Sequence, residues 1–286
     1  MVRSVAILML LASPLGLAQT GYQNSDRLKT EAARSIASLS AKLKEVNQPT
    51  ALDADLAAQC SVNCSDSSLQ AQMESLNSQR LRASKGLVAQ IHQAVDNYIM
   101  GTSNGHVVGI NRDHMARDLK QILGDTVVSE PAAFLLESPH GRSLVVFYAI
   151  GAGTAMSGST TLRAYRLSGN RAALAGTTGS DMDGYGNLWV KRLSSPALPH
   201  ELWLLVGGQA FGANGPNIRM RGYAYDGEKF ATKWMPANVW GTFTVTLTGR
   251  GFRVDGPYYQ DDKQRHDEYL VAEDGGLYLC RPRQCD

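Results

Sequence analysis

Long hydrophobic runs are missing from this chain. The longest, Val5 to Leu17, covers about 13 residues where a bilayer-spanning helix takes roughly 20, and Ser13 and Pro14 interrupt it. No cysteine follows that run, so lipid attachment after cleavage there has no acceptor thiol. An excess of one charge is missing too: 13 basic and 13 acidic residues lie up to Arg142, 15 basic and 13 acidic from Leu144 onward. Neither half is a polycation, which argues against nucleic-acid binding. Without a polybasic tract the chain after residue 18 shows no membrane-surface signal either. Motifs are equally sparse. Gly151 to Gly158 is glycine-rich but has no Gly-Lys-Ser or Gly-Lys-Thr ending. Ser157, Ser159 and Ser180 stand outside any nucleophile elbow.

What is present begins with an export signal. Arg3 supplies a positive charge, an apolar run follows, and Gly16 and Ala18 are small residues at the positions a signal peptidase reads. Residues 1–18 are therefore expected to be cleaved, leaving a secreted or periplasmic protein. In an oxidising compartment the four cysteines read as disulfides. Local pairing, Cys60 with Cys64 and Cys280 with Cys285, is favoured over cross pairing, which would tie the C-terminus to the first half. A four-thiolate zinc site fits the spacing, but the compartment opposes it.

The first half, residues 19–142, carries helical periodicity. Leu28, Ala32, Ile36, Leu39, Leu43 and Val46 predict a helix over 24–46 with Ser25 as its N-cap and Pro49 ending it. The composition of 47–68 predicts a turn-rich linker that a disulfide would hold. Leu69, Met73, Leu76, Leu87, Ile91, Val95 and Tyr98 predict one bent helix or two, with Gly86 as the weak point. Residues 101–109 read as a turn and a short strand, and Asn111 as the cap of a helix through Leu123. His92, with Asp96 four residues on, reads as a boundary or core histidine. His114 beside Asp113 and Asp118 reads as a solvated helix face.

From residue 143 to 286 the pattern becomes β-rich. Leu144 to Ile150, a small-residue stretch, and Thr160 to Leu167 are echoed 58 residues later, pairing Leu144 with Leu202, Arg163 with Arg221 and Tyr165 with Tyr223. Gly207 to Gly215 then reads as a second loop between strands. The turn Asp183-Gly184-Tyr185-Gly186-Asn187 leading into Trp189 resembles the blade motifs of β-propellers, although Asp226-Gly227 lacks the matching Trp. A propeller takes at least four blades, so two units of this kind exclude a closed monomeric one. Thr242 to Thr248, Phe252 to Val254, Glu268 to Ala272 and Leu277 to Cys280 add antiparallel strands, the last pair flanking the Asp274-Gly275-Gly276 turn.

Candidate chemistry is limited. Asp181, Asp183 and Asn187 form a calcium-like turn, though Tyr185 and Arg192 stand where a helix-loop-helix calcium loop needs oxygen ligands. His266, with Asp261, Asp262, Asp267 and Glu268, is the densest group of acids and bases and reads as an exposed loop; His200 has no evident partner. Tyr258 and Tyr259, beside Gly256 and Pro257, are the candidate binding aromatics. The fold expected is α+β, with N-terminal helices followed by antiparallel β-structure. The function expected is an exported, non-enzymatic protein that binds a carbohydrate or an envelope or extracellular partner. An exported hydrolase and a structural envelope protein are the alternatives.

Overall fold

The computed structural model describes residues 15–63, 66–103, 110–151, 159–169, 171–178, 185–194, 198–212, 215–234, 239–240, 243–257, 264–274 and 276–280. Four helices come first: α1 (Leu15–Asn47), α2 (Ala51–Asn63), α3 (Ser67–Ser103) and α4 (Arg112–Leu123). Ala32, Ile36 and Leu43 of α1 pack with Ile91, Val95 and Ile99 of α3, the stripes that the periodicity marked. Ser25 is not a cap, because α1 begins at Leu15 and passes through it. Nor does Gly86 break α3, which is continuous from Ser67 to Ser103. The helix covers residues 101–103, where a turn was expected, and 104–109 lie outside the described residues. Asn111 does cap α4, its side chain accepting from the amides of Asp113 at 2.8 Å and His114 at 3.1 Å.

The linker expectation is corrected by α2. Thr50 Oγ1 accepts the Asp53 amide at 3.4 Å while the Asp53 carboxylate accepts the Thr50 amide, a reciprocal cap that starts the helix just after Pro49. Arg80 of α3 then grips the same carboxylate with two N–H donors. The segment is thus a helix held by a cap and an ion pair, not a structureless linker. Of the four cysteines, the two described, Cys60 and Cys280, are both disulfide-bonded and neither is a free thiol. Cys60 lies in α2 and Cys280 ends the last strand, while Cys64 and Cys285 lie outside the described residues.

The remainder is three successive antiparallel meanders, none closed into a barrel. Sheet 1 holds β1 (Ala132–Ser138), β2 (Gly141–Ile150), β3 (Ser159–Ser168) and β4 (Arg171–Thr178). Sheet 2 holds β5 (Gly186–Leu193), β6 (Leu202–Gly212), β7 (Gly215–Tyr225) and β8 (Phe230–Trp234), with short β9 (Val239–Trp240) paired to β7. Sheet 3 holds β10 (Thr244–Leu247), β11 (Gly251–Pro257), β12 (Gln264–Val271) and β13 (Leu277–Cys280). The β-structure therefore starts at Ala132, ahead of the change in texture at Ser143.

The layers stack in chain order. Leu144, Val146, Tyr148 and Ile150 of β2 face the helices, while Val145, Phe147 and Ala149 face sheet 2. With both faces covered, β2 reads as an unbroken apolar run. On sheet 2, Leu204, Val206 and Tyr223 face sheet 1, and Trp203, Leu205 and Met220 face sheet 3. Only alternate residues of β11 are apolar and buried, Phe252 and Val254, and no described residues form a layer over the far side of sheet 3.

The 58-residue echo repeats in the pairing itself. Tyr165 pairs with Leu174 and Tyr223 with Thr232; a bulge falls between Ala164 and Tyr165, and again between Gly222 and Tyr223. The following turns use Gly169 and Gly227, both at positive φ. The match slips by two residues on the preceding strand: Leu144 lies opposite Tyr165, but Leu204, not Leu202, lies opposite Tyr223. A shift of two preserves the face each side chain points to. The second expected loop is also corrected, since β6 runs to Gly212 and β7 starts at Gly215. Gly207 is small for a different reason: a Cβ there would lie 2.0 Å from the Trp189 ring, which packs across it from β5.

Candidate functional site

Of the residues proposed from sequence, Asp181, Asp183, Tyr258, Tyr259, Ser157, Ser180, Asp261 and Asp262 lie outside the described residues. Asn187 is described: it sits at φ 46°, and its Nδ2 donates to Gln209 Oε1 at 3.1 Å. Its amide nitrogen is thus engaged with the neighbouring strand, and only its carbonyl oxygen is available to a cation. His200 is exposed in the turn before β6.

The most concentrated chemistry lies where α3 meets sheet 1. Asp96 is 2% exposed and accepts Arg163 Nε at 2.7 Å and Nη2 at 2.5 Å, a two-point grip, together with the Tyr165 hydroxyl at 2.5 Å. One turn earlier, His92 Nδ1 lies 2.9 Å from the Tyr148 hydroxyl. Burial, and then the nearby Arg163 charge, hold the His92 pKa down to about 4. Burial pushes the Tyr148 and Tyr165 phenols far above their ordinary value. It opposes the charge on Arg163 as well, but hydrogen bonding to Asp96 prevails and the guanidinium stays firmly protonated. A second buried carboxylate, Asp118 on α4, accepts the Tyr98 hydroxyl at 2.6 Å and Lys29, and stands 3.3 Å from His114 Nε2. His114 thus meets Asp118 one turn away, not its neighbour Asp113. Each cluster has its carboxylate oxygens occupied by internal partners.

Sequence reasoning placed His92 beside Asp96 but missed the partners on the sheet. The available signal was Arg163 and Tyr165 at alternate positions of β3, which puts both on one face of the sheet.

The other site is the far face of sheet 3, which no layer of described residues covers. His266 lies in β12, not in a loop, directly opposite Asp255 of β11. Its Nδ1 is 2.8 Å from Asp255 Oδ1, and Arg253 Nε donates to Asp255 Oδ2 at 2.8 Å. Hydrogen bonding to His266, then to Arg253, lowers the Asp255 pKa. Arg253 also lies opposite Glu268, and Thr244 opposite Asp255. This is an open sheet face, with the His266 side chain 68% exposed. Strands β11 and β12 are joined by the connection that contains Tyr258 and Tyr259.

Among the described residues no three His, Cys, Asp or Glu side chains are arranged to hold a metal, and no helix is long and apolar enough to cross a membrane. No family model, curated protein or solved structure matches the chain.

Proposed function

We propose that this is an exported, non-enzymatic binding protein whose ligand, a carbohydrate or an envelope or extracellular protein, is met at the end of the sheet stack. The observation that carries this reading is the uncovered face of sheet 3, where Arg253, Asp255 and His266 offer donors and acceptors beside the connection bearing Tyr258 and Tyr259. Aromatic rings supply contact area at little entropic cost, and flanking polar groups supply orientation. The export signal in residues 1–18 supports the compartment. Screening the purified protein against glycans and envelope components tests the proposal. Saturable binding should weaken in the Tyr258→Ala, Tyr259→Ala double variant; binding unchanged in it would remove those tyrosines from the site.

The hydrolase reading draws on the Asp255–His266 pair, which orients an imidazole as acid-base chemistry requires. It needs a concave site, and the open sheet face favours binding instead. Turnover of any polymer substrate that His266→Ala abolishes would reverse the ranking. For the Asp181–Asn187 turn, calorimetric titration of chelator-treated protein with calcium is expected to give no heat; saturable heat lost in Asp183→Asn would establish an ion site.

A further inference from the structure

We propose that His92, Tyr148 and the Asp96–Arg163 pair form an acid-sensitive latch, in which protonation of the His92 imidazole loosens the helical layer from sheet 1. The hydrogen-bond geometry sets the chemistry. Tyr148 is fully buried, its hydroxyl keeps its proton and lies 2.9 Å from His92 Nδ1; in the closed latch we assign that O–H as the donor to the bare Nδ1 of a neutral imidazole. A second proton on the ring turns Nδ1 into a donor, and the Tyr148 hydrogen loses its acceptor. The Asp96 charge favours the imidazolium, but burial and Arg163 outweigh it, and Arg163 and Tyr165 already occupy the carboxylate oxygens. The new cation also faces the Arg163 guanidinium.

Among the described residues, few charged or titratable groups surround the ring. Asp96 lies on its own helix, Tyr148 on β2, and Arg163 and Tyr165 on β3. On β4, Arg171 is exposed, and α1 packs against α3 through uncharged Ala32, Ile36 and Leu43. His92 is also the one described histidine that is not exposed, so the sheet-to-sheet interfaces have no equivalent among the described residues.

The direction follows from linkage. His92 titrates at about 4 in the folded protein against the ordinary 6.5, so the unfolded or opened chain takes up the proton first. The latch is fully closed above pH 6.5 and weakens steadily as the pH falls toward 4.

Amide hydrogen exchange on the full chain, corrected for intrinsic rates, reads the latch layer by layer. Between about pH 6 and pH 4.5 the opening equilibrium of α3 and β2 should rise about tenfold per pH unit, while β6 and β11 hold their protection. His92→Gln, neutral at every pH and still able to accept a hydrogen bond, should abolish that rise and leave protection near neutral pH intact. The proposal is overturned if the variant keeps the rise, or if all three sheets open together. Should the variant fail to fold, NMR titration of His92 in the unaltered protein decides: a midpoint near 4 supports the latch, and an ordinary one overturns it.

Discussion

The two ends of the sheet stack are built from the same kind of strand and meet opposite fates. At the helical end, sheet 1 presents Leu144, Val146 and Ile150 to a layer that covers them, and Arg163 in that face is matched by a carboxylate carried on α3. At the far end, sheet 3 turns Arg253, Asp255 and His266 to solvent, with no covering layer described. The polar far face marks the end of a stack, since a repeat that ends an array must be wettable on its outer side. The difference teaches that similar ion pairs carry different weight. The Asp96–Arg163 pair is removed from water, so either partner left alone is a buried charge, whereas the sheet 3 array is screened and its members are replaceable.

Substitutions should expose that contrast, the largest effect coming first. Asp96→Ala leaves Arg163 buried without a partner and should cost about 3–5 kcal/mol in denaturant unfolding. Removing both charges, as Asp96→Leu with Arg163→Met, should recover much of that loss; a double variant as unstable as the single one would show that the pair is needed for more than mutual neutralisation. Gly207→Val probes the middle of the stack, where the Trp189 ring occupies the space of the new side chain, and should destabilise by about 1–3 kcal/mol. Tryptophan fluorescence should report the displaced indole. Gly86→Ala acts within the helical layer alone: the site is exposed and a Cβ meets nothing within 4 Å, so stability should rise by about 0.5–1 kcal/mol. Arg253→Ala at the uncovered end should leave the melting temperature unchanged while weakening any ligand that binds there. A clear fall in melting temperature would mean that this face is structural, and the contrast between the two ends would fail.

Much of the fold was legible in the sequence because it rests on local periodicity. The stripe of Leu28, Ala32, Ile36 and Leu43 marked α1, the alternation around Thr242 to Thr248 and Phe252 to Val254 marked the β10–β11 hairpin, and the 58-residue echo marked two units whose turns and bulges do recur. Errors arose where a residue's character has more than one cause. Ser25 can cap a helix or sit inside one. The small residues from Gly207 to Gly215 suggested a loop, yet Gly207 is small because Trp189 lies against it. The segment after Pro49 looked like a linker because its polar residues were counted, while the spacing of Thr50 and Asp53, which specifies a cap, went unread.

The candidate sites divide along the same line. By itself the sequence determined which strands alternate, where the chain reverses and that His92 and Asp96 share one helix face, since each depends on residues within a few positions of one another. Tertiary structure alone decided that Arg163, 67 positions along the chain, would meet Asp96, that Tyr148 would meet His92, and that Asp255 and His266 would pair on an open face. Those contacts depend on which layer packs on which. That choice is made by apolar faces seeking cover, and one buried leucine is much like another as a label for its partner.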